Sequence, residues 1–295
     1  MTTFLQNVVA GMETGSLYAL AALGVVLIFR VSAVTNFAQG EMAMFSSFVA
    51  WTIWRNLAEA GFPYPYPVAF IATILFAICF GYVVERFFIR PASKGSMVGK
   101  MIVTLGLIMM VNGGAAAIFG TDSHFMPRAI QGNMNIGGVL LRPHAIFVMS
   151  LALILMTSLF IMIKKSMFGV AIRATAQNDT AARLMGVPTS KVSSYSWIIA
   201  TVLGAIAGIL IAPATNVHTG MMADVHLKSF IAAVLGGFTS FIGPVIGGLT
   251  IGIMDNLVGY YISTSWQTVI VYGFLILVLI FKPYGIFGKA RRKKV

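Results

Sequence analysis

Acidic side chains are scarce in this sequence, with 8 Asp and Glu against 20 Lys and Arg in 295 residues. Charged residues of both signs make up only 9% of the chain, where soluble domains carry roughly 25%. That excludes an ordinary water-soluble fold, which needs charge to cover its surface. Cysteine occurs once, as Cys79 in the apolar run Val68–Val84, so no intramolecular disulfide can form and packing is its expected role. The histidines, His124, His144, His218 and His226, show no i, i+4 spacing and have no cysteine cluster beside them, so no metal site is expected. The sequence has no G-x-x-x-x-G-K-[ST] phosphate loop, G-x-S-x-G elbow or H-E-x-x-H pair, which argues against ATP chemistry or hydrolysis on this chain. No basic region precedes the first apolar run, so the first span is expected to stay in the mature protein.

What the sequence has instead is long apolar stretches. Hydrophobic residues make up 58% and glycine occurs 30 times, as suits closely packed membrane helices. The run Ala145–Ile163 has no charge between Arg142 and Lys164. At about 1.5 Å per residue it nearly crosses a hydrocarbon layer of about 30 Å. The same reading places spans at 5–29, 38–57, 67–89, 101–119, 144–163, 192–213, 227–241, 244–261 and 265–281. The expected fold is therefore an all-α polytopic membrane protein with about nine spans, in a range of roughly eight to ten. The Gly-rich seventh and eighth spans are short and open to tilting, breaking or re-entry.

The formal net charge of +12 is placed unevenly. With nine spans, Arg30, the Arg86–Lys100 loop, the Lys164–Lys191 loop and the tail from Lys282 fall on one side. Together they hold sixteen of the 20 basic residues, leaving Arg55, Arg128, Arg142 and Lys228 on the other. By the positive-inside rule the N-terminus is outside and the C-terminus cytoplasmic. The basic tail from Lys289 is read as an orientation signal rather than a nucleic-acid site.

Two loops stand out. The external loop 120–143 exceeds the usual connector length of about 12–15 residues. Its Asn133, Asn135, Gly137 and Gly138 are turn residues, and Val139–Leu141 reads as a short strand. The cytoplasmic loop 164–191 holds a short helix over Thr180–Met185. Asn178 or Asp179 caps its start, Gly186 follows its end, and Pro188 blocks continuation. Ala181, Ala182, Leu184 and Met185 are expected on its exposed surface. A helix this short is marginal alone, below about 12 residues, and so needs something to pack on: the lipid interface or a cytoplasmic partner.

Intramembrane polar groups are few. Asn36, Gln39, Glu41 and Asn112 are candidates for a translocation pathway, with capping of the second span as the structural alternative for Gln39 and Glu41. Asp255 is expected to serve helix packing or an interface.

Several segments carry a resemblance. Gly169-Val-Ala-Ile-Arg173-Ala-Thr-Ala, then Ala181-Ala-Arg-Leu-Met-Gly186-Val, resembles the cytoplasmic loop of the high-affinity branched-chain amino acid permeases of ABC transporters. Thr180 replaces the usual acidic residue before the alanine pair, and Asp179 stands one place earlier. Gly15-Ser-Leu-Tyr-Ala-Leu-Ala-Ala-Leu-Gly24 and Asn36-Phe-Ala-Gln-Gly-Glu41 resemble that family's first span and signature, with Gln39 in place of His. The Gly-rich block from Phe230 through Gly248 and the closing Lys282-Pro-Tyr-Gly-Ile-Phe-Gly288 agree in order.

The resemblance implies a permease subunit of an ATP-driven importer in a bacterial inner membrane. It implies a second permease chain, usually a different homologue, two cytoplasmic ATPases that carry the ATP and Mg, and an external solute-binding protein. Arg173, Asp179, Ala181, Ala182, Arg183, Leu184, Met185 and Gly186 would form the ATPase-coupling element. Asp122, Arg128 and Arg142 would meet the binding protein. Branched-chain amino acids are the expected cargo, with urea, short amides or aromatic acids as alternatives inside the family. A self-contained secondary transporter or channel is the alternative class.

Overall fold

The computed structural model describes residues 2–93, 95–136 and 139–288. Met1, Lys94, Gly137 and Gly138, expected as turn residues, and the basic tail from Lys289, expected as an orientation signal, lie outside the described residues. The chain is built of helices: α1 (Thr2–Ser32), α2 (Gln39–Glu59), α3 (Pro65–Val84), a π-turn (Glu85–Ile89), α4 (Arg90–Ala92) and α5 (Met97–Phe119). A hairpin of β1 (Met134–Ile136) and β2 (Val139–Leu141) follows, paired Met134 to Leu141. Then come α6 (Pro143–Lys165), α7 (Met167–Gln177), α8 (Asp179–Leu184), α9 (Thr189–Thr215), α10 (Ala223–Gly236), α11 (Gly243–Tyr261) and α12 (Thr264–Phe281).

Six helices among the described residues are long and apolar enough to cross a membrane: α1, the run from α3 through α4, α5, α6, α9 and α12. The protein is a multi-pass helical membrane protein. Its remaining expected spans differ in informative ways. At about 1.5 Å per residue, the 14 residues of α10 reach only about 21 Å. The chain turns at Gly237, inside the expected span 227–241, and an Ile242-flanked turn leads to α11.

By internal contacts the chain divides into two units. The first comprises 1–26, 130–157 and 227–295. Here glycines set the distance between α1 and α11. A Cβ on Gly15 would lie 2.9 Å from the Gly248 carbonyl, and one on Gly252 would lie 2.3 Å from the Gly15 Cα. Such backbone-to-backbone approach tolerates no side chain. The segment after α12 turns back onto the end of α10: the Ile286 N–H donates to the Leu235 carbonyl at 2.8 Å. Gly285 and Gly288 lie against Gly237. The Gly-rich block and the closing motif are thus two halves of one contact.

Lys228, one of the four basic residues expected on the external side, is 6% exposed and pairs with Asp255 on α11 at 2.8 Å. Asp255 is therefore a packing residue in the strict sense that its charge is answered inside the protein. Tyr18 on α1 places its ring 5.8 Å from the Lys228 ammonium.

The second unit comprises 27–129 and 158–226. Its centre is α9, packed against α2 and α3, with α2 and α3 also in contact. Gly81 of α3 meets Thr201 and Ile198, and Gly208 meets Ser47 and Ala43, so small residues again let the helices close. Cys79 lies on the exposed side of α3, not in this core, which corrects the packing role expected of it. The outer faces of α3 and α5 likewise carry exposed apolar side chains, such as Ile71, Leu75, Ile102 and Met109, as lipid-facing positions do.

Candidate functional site

α2 starts partway along its neighbours. α1 ends at Ser32, and Ala33 takes φ +52 before a non-helical stretch through Ala38. Gln39, the first residue of α2, donates through Nε2 to the carbonyl of Ala200 at 2.7 Å, about midway along α9. Two residues on, Glu41 accepts from Asn112 Nδ2 at 2.9 Å, well inside α5. The expected span 38–57 is therefore helical, but its first turn is level with the middle of α5 and α9 rather than with their ends. Its far end, with the exposed pair Arg55–Glu59 at 2.7 Å, runs past the end of α5. There Trp51 stacks on His124 at 3.8 Å between ring centroids, beyond Phe119.

This brings the four pathway candidates into two linked pairs. Asn36 and Gln39 are fully buried, with Asn36 Nδ2 donating to Gln39 Oε1 at 3.2 Å. The Ala38 N–H donates to Asn36 Oδ1 at 3.1 Å, which fixes the chain entering α2. Glu41 and Asn112 are half-buried, and Asn112 Nδ2 also donates to the Thr219 carbonyl at 3.1 Å. Irregular backbone of this kind inside a bundle needs protein partners, and these four side chains supply part of them. Gln39 does not cap α2 through its side chain; that side chain is spent on α9.

The loop 164–191 is more ordered than its reading as one short helix. α7 fills Met167–Gln177, capped by Ser166 accepting from the Gly169 N–H at 3.1 Å. Ile172 is fully buried and Gly169 abuts the end of α6, where Arg173 donates to the Ile163 carbonyl. α8 follows, and Asn178 rather than Asp179 caps it: its Oδ1 accepts from the Ala181 N–H at 3.0 Å. Gly186 takes φ +82, the left-handed turn that ends a helix and that a β-branched residue resists.

Ala182 was expected on the exposed face of this helix, but it is 5% exposed, because it is the residue by which α8 sits on the protein. Ala181 remains exposed, and Leu184 and Met185 are each 84% exposed. Arg183 pairs with Asp179 at 2.8 Å and donates to Thr189 Oγ1 at 2.8 Å, so it ties α8 to the start of α9.

A cluster that the sequence did not reveal joins the π-turn to α9. Glu85, on the π-turn, is 1% exposed and accepts from Arg90 at 3.0 Å and from Ser194 Oγ at 2.8 Å. Arg90 also donates to Ser194 Oγ at 2.6 Å. The spacing Glu85 to Arg90 is i, i+5, which an α-helix does not bring together and a π-turn does. That spacing was the available signal.

In the loop after α5, Asp122 and Arg128 are exposed. The loop is pinned between them: His124 and Val217 exchange backbone hydrogen bonds, and Met126 is 1% exposed. Arg142, ahead of α6 in the other unit, is also exposed. Among the described residues no group of three or more His, Cys, Asp or Glu is placed to hold a metal.

The chain matches the family model described as branched-chain amino acid transport system / permease component over residues 7–279. It is 30% identical to the high-affinity branched-chain amino acid transport system permease protein BraD of Pseudomonas aeruginosa, covering 99% of this chain and 98% of that one. It is 31% identical to the permease protein LivH of Salmonella typhimurium, again over 99% and 98%. A probable LivH of Methanocaldococcus jannaschii is 28% identical, over 92% and 89%. With matches that run nearly end to end in both directions, the chain belongs to the family of permease components of branched-chain amino acid transport systems.

Proposed function

We propose that this chain is the membrane permease of an ATP-driven, binding-protein-dependent importer that moves branched-chain or related amino acids across a bacterial inner membrane. The observation that carries this reading beyond family membership is the pair Leu184 and Met185. Two large apolar side chains stand 84% exposed on a two-turn helix that is capped, turned and braced from within the chain. Ordering such a short helix with its apolar tip outward suits a groove on a partner. Each cytoplasmic ATPase of a pair, carrying ATP and Mg, is the occupant this reading assigns. Arg183 then holds α8 in place, while the apolar tip supplies contact.

In this reading the whole chain is one permease domain of about nine spans, with loop 120–143 outside and loop 164–191 inside. A second, homologous permease chain completes the pathway. Asp122, Arg128 and Arg142 face the binding protein. ATP closure of the ATPase pair displaces α8, and α9 and α7 pass the displacement to the spans.

Reconstitution tests it. The complex in liposomes takes up amino acid with ATP and binding protein, and the permease alone takes up none. Leu184→Glu inserts normally and loses co-purifying ATPase at least tenfold; Gly186→Val does the same by straining the turn. Uptake by the permease alone under an ion gradient would instead establish a secondary transporter. Unchanged ATPase recovery with Leu184→Glu removes the docking role.

A further inference from the structure

The carboxylates of Glu85 and Asp255 are fully buried, and each has its own cation. Glu41 does not. Among the described residues no Lys, Arg or His lies within ion-pair distance of its carboxylate. Its Oε2 accepts from the neutral amide of Asn112, and Oε1 accepts nothing from the described residues. Glu41 stands in the first turn of α2, beside its positive end. A half-buried carboxylate inside an apolar bundle is costly unless a cation meets it.

The surroundings define which cation fits. Asn112 Nδ2 donates both to Glu41 and to the Thr219 carbonyl, so a carboxylate and a backbone oxygen converge beside one amide. An ammonium group has three donors and no acceptor, and this acceptor set matches it. One turn further along α2 stands Phe45, and one turn back along α5 stands Ile108, both only partly buried. Charge and apolar surface thus adjoin, as a branched aliphatic chain bearing an amine requires. The broken entry into α2 is also the kind of discontinuous helix at which transporters place their sites.

We propose that Glu41 is the ammonium-recognition residue of the translocation pathway, with Asn112 orienting its carboxylate and the Thr219 carbonyl as second acceptor. This rests on the importer reading for its place in transport and selects cargo with a free amine over urea, neutral amides or deaminated acids.

The test uses the full chain in lipid nanodiscs, together with its partner permease where that co-purifies. Calorimetry with isopentylammonium gives binding to wild type, at least tenfold weaker binding to Glu41→Gln, and intermediate binding to Glu41→Asp. Neither protein binds 4-methylpentanoate. Gln keeps a carbonyl oxygen for Asn112 and removes only the charge, so equal isopentylammonium affinity in wild type and Glu41→Gln overturns the proposal. Loss of the partner permease from Glu41→Gln also overturns it, because the missing cation would then be the partner's. Matching thermal midpoints show that the variant is folded. Calorimetry needs no ATPase, so failure of ATP-driven uptake in the wild-type complex counts against the importer reading alone.

Discussion

Asp255 and Glu85 are buried carboxylates in different units, and they keep their charge by different means. Asp255 is met across a helix pair by Lys228, and both side chains are 7% exposed. Glu85 is met within its own helix by Arg90, whose side chain remains 30% exposed, and by Ser194 from α9. The first pair is sealed from water, with Tyr18 beside it, its hydroxyl donating to Asp255 at 3.5 Å, so each charge is answered from inside the protein. The second is open at one end, so water can take over part of what either partner loses. Burial of the partner, more than distance, sets how much a carboxylate depends on it.

The largest effect should come from opening the sealed pair on one side. Lys228→Met leaves Asp255 buried without its cation, with the Tyr18 hydroxyl still donating at 3.5 Å, and about 3–5 kcal/mol of stability should be lost. Adding Asp255→Leu should restore most of it, because neither charge then remains. Thermal melts of the detergent-solubilised single and double variants measure both. If the double variant is as unstable as the single, the pair holds the helices by geometry rather than by charge balance. Glu85→Ala should cost less, about 1–3 kcal/mol, because Arg90 can rehydrate. It should also loosen the link between the π-turn and α9, seen as faster hydrogen exchange at 190–194. Smallest is Arg55→Ala, whose partner Glu59 is on the protruding end of α2 with both side chains more than half exposed. It should shift stability by no more than about 0.5 kcal/mol in the same melts.

The sequence conveys long-range order better than depth. Apolar runs mark where most helices lie, and Asn178, Gly186 and Pro188 mark the limits of α8, because caps and turns are local chemistry. α7 is missed because its burial of Ile172 depends on α6 and α9, which no local pattern records. The start of α2 is placed correctly within a residue, yet its level beside α5 and α9 comes only from the bonds that Gln39 and Glu41 make far along the chain. The burial of Lys228 is hidden for the same reason: its partner Asp255 is on another helix. Asn36, Gln39, Glu41 and Asn112 are legible as polar intrusions, whereas their pairing, and the lack of a cation at Glu41 among the described residues, are not.

The glycine contact between α1 and α11 has a consequence in time. Gly11 and Gly15 are synthesised long before Gly248 and Gly252. At about 5–20 residues per second the interval is about 10–50 s. For that interval α1 exists without the backbone it is shaped to receive. The close approach of these glycines can therefore form only after nearly the whole chain has been made.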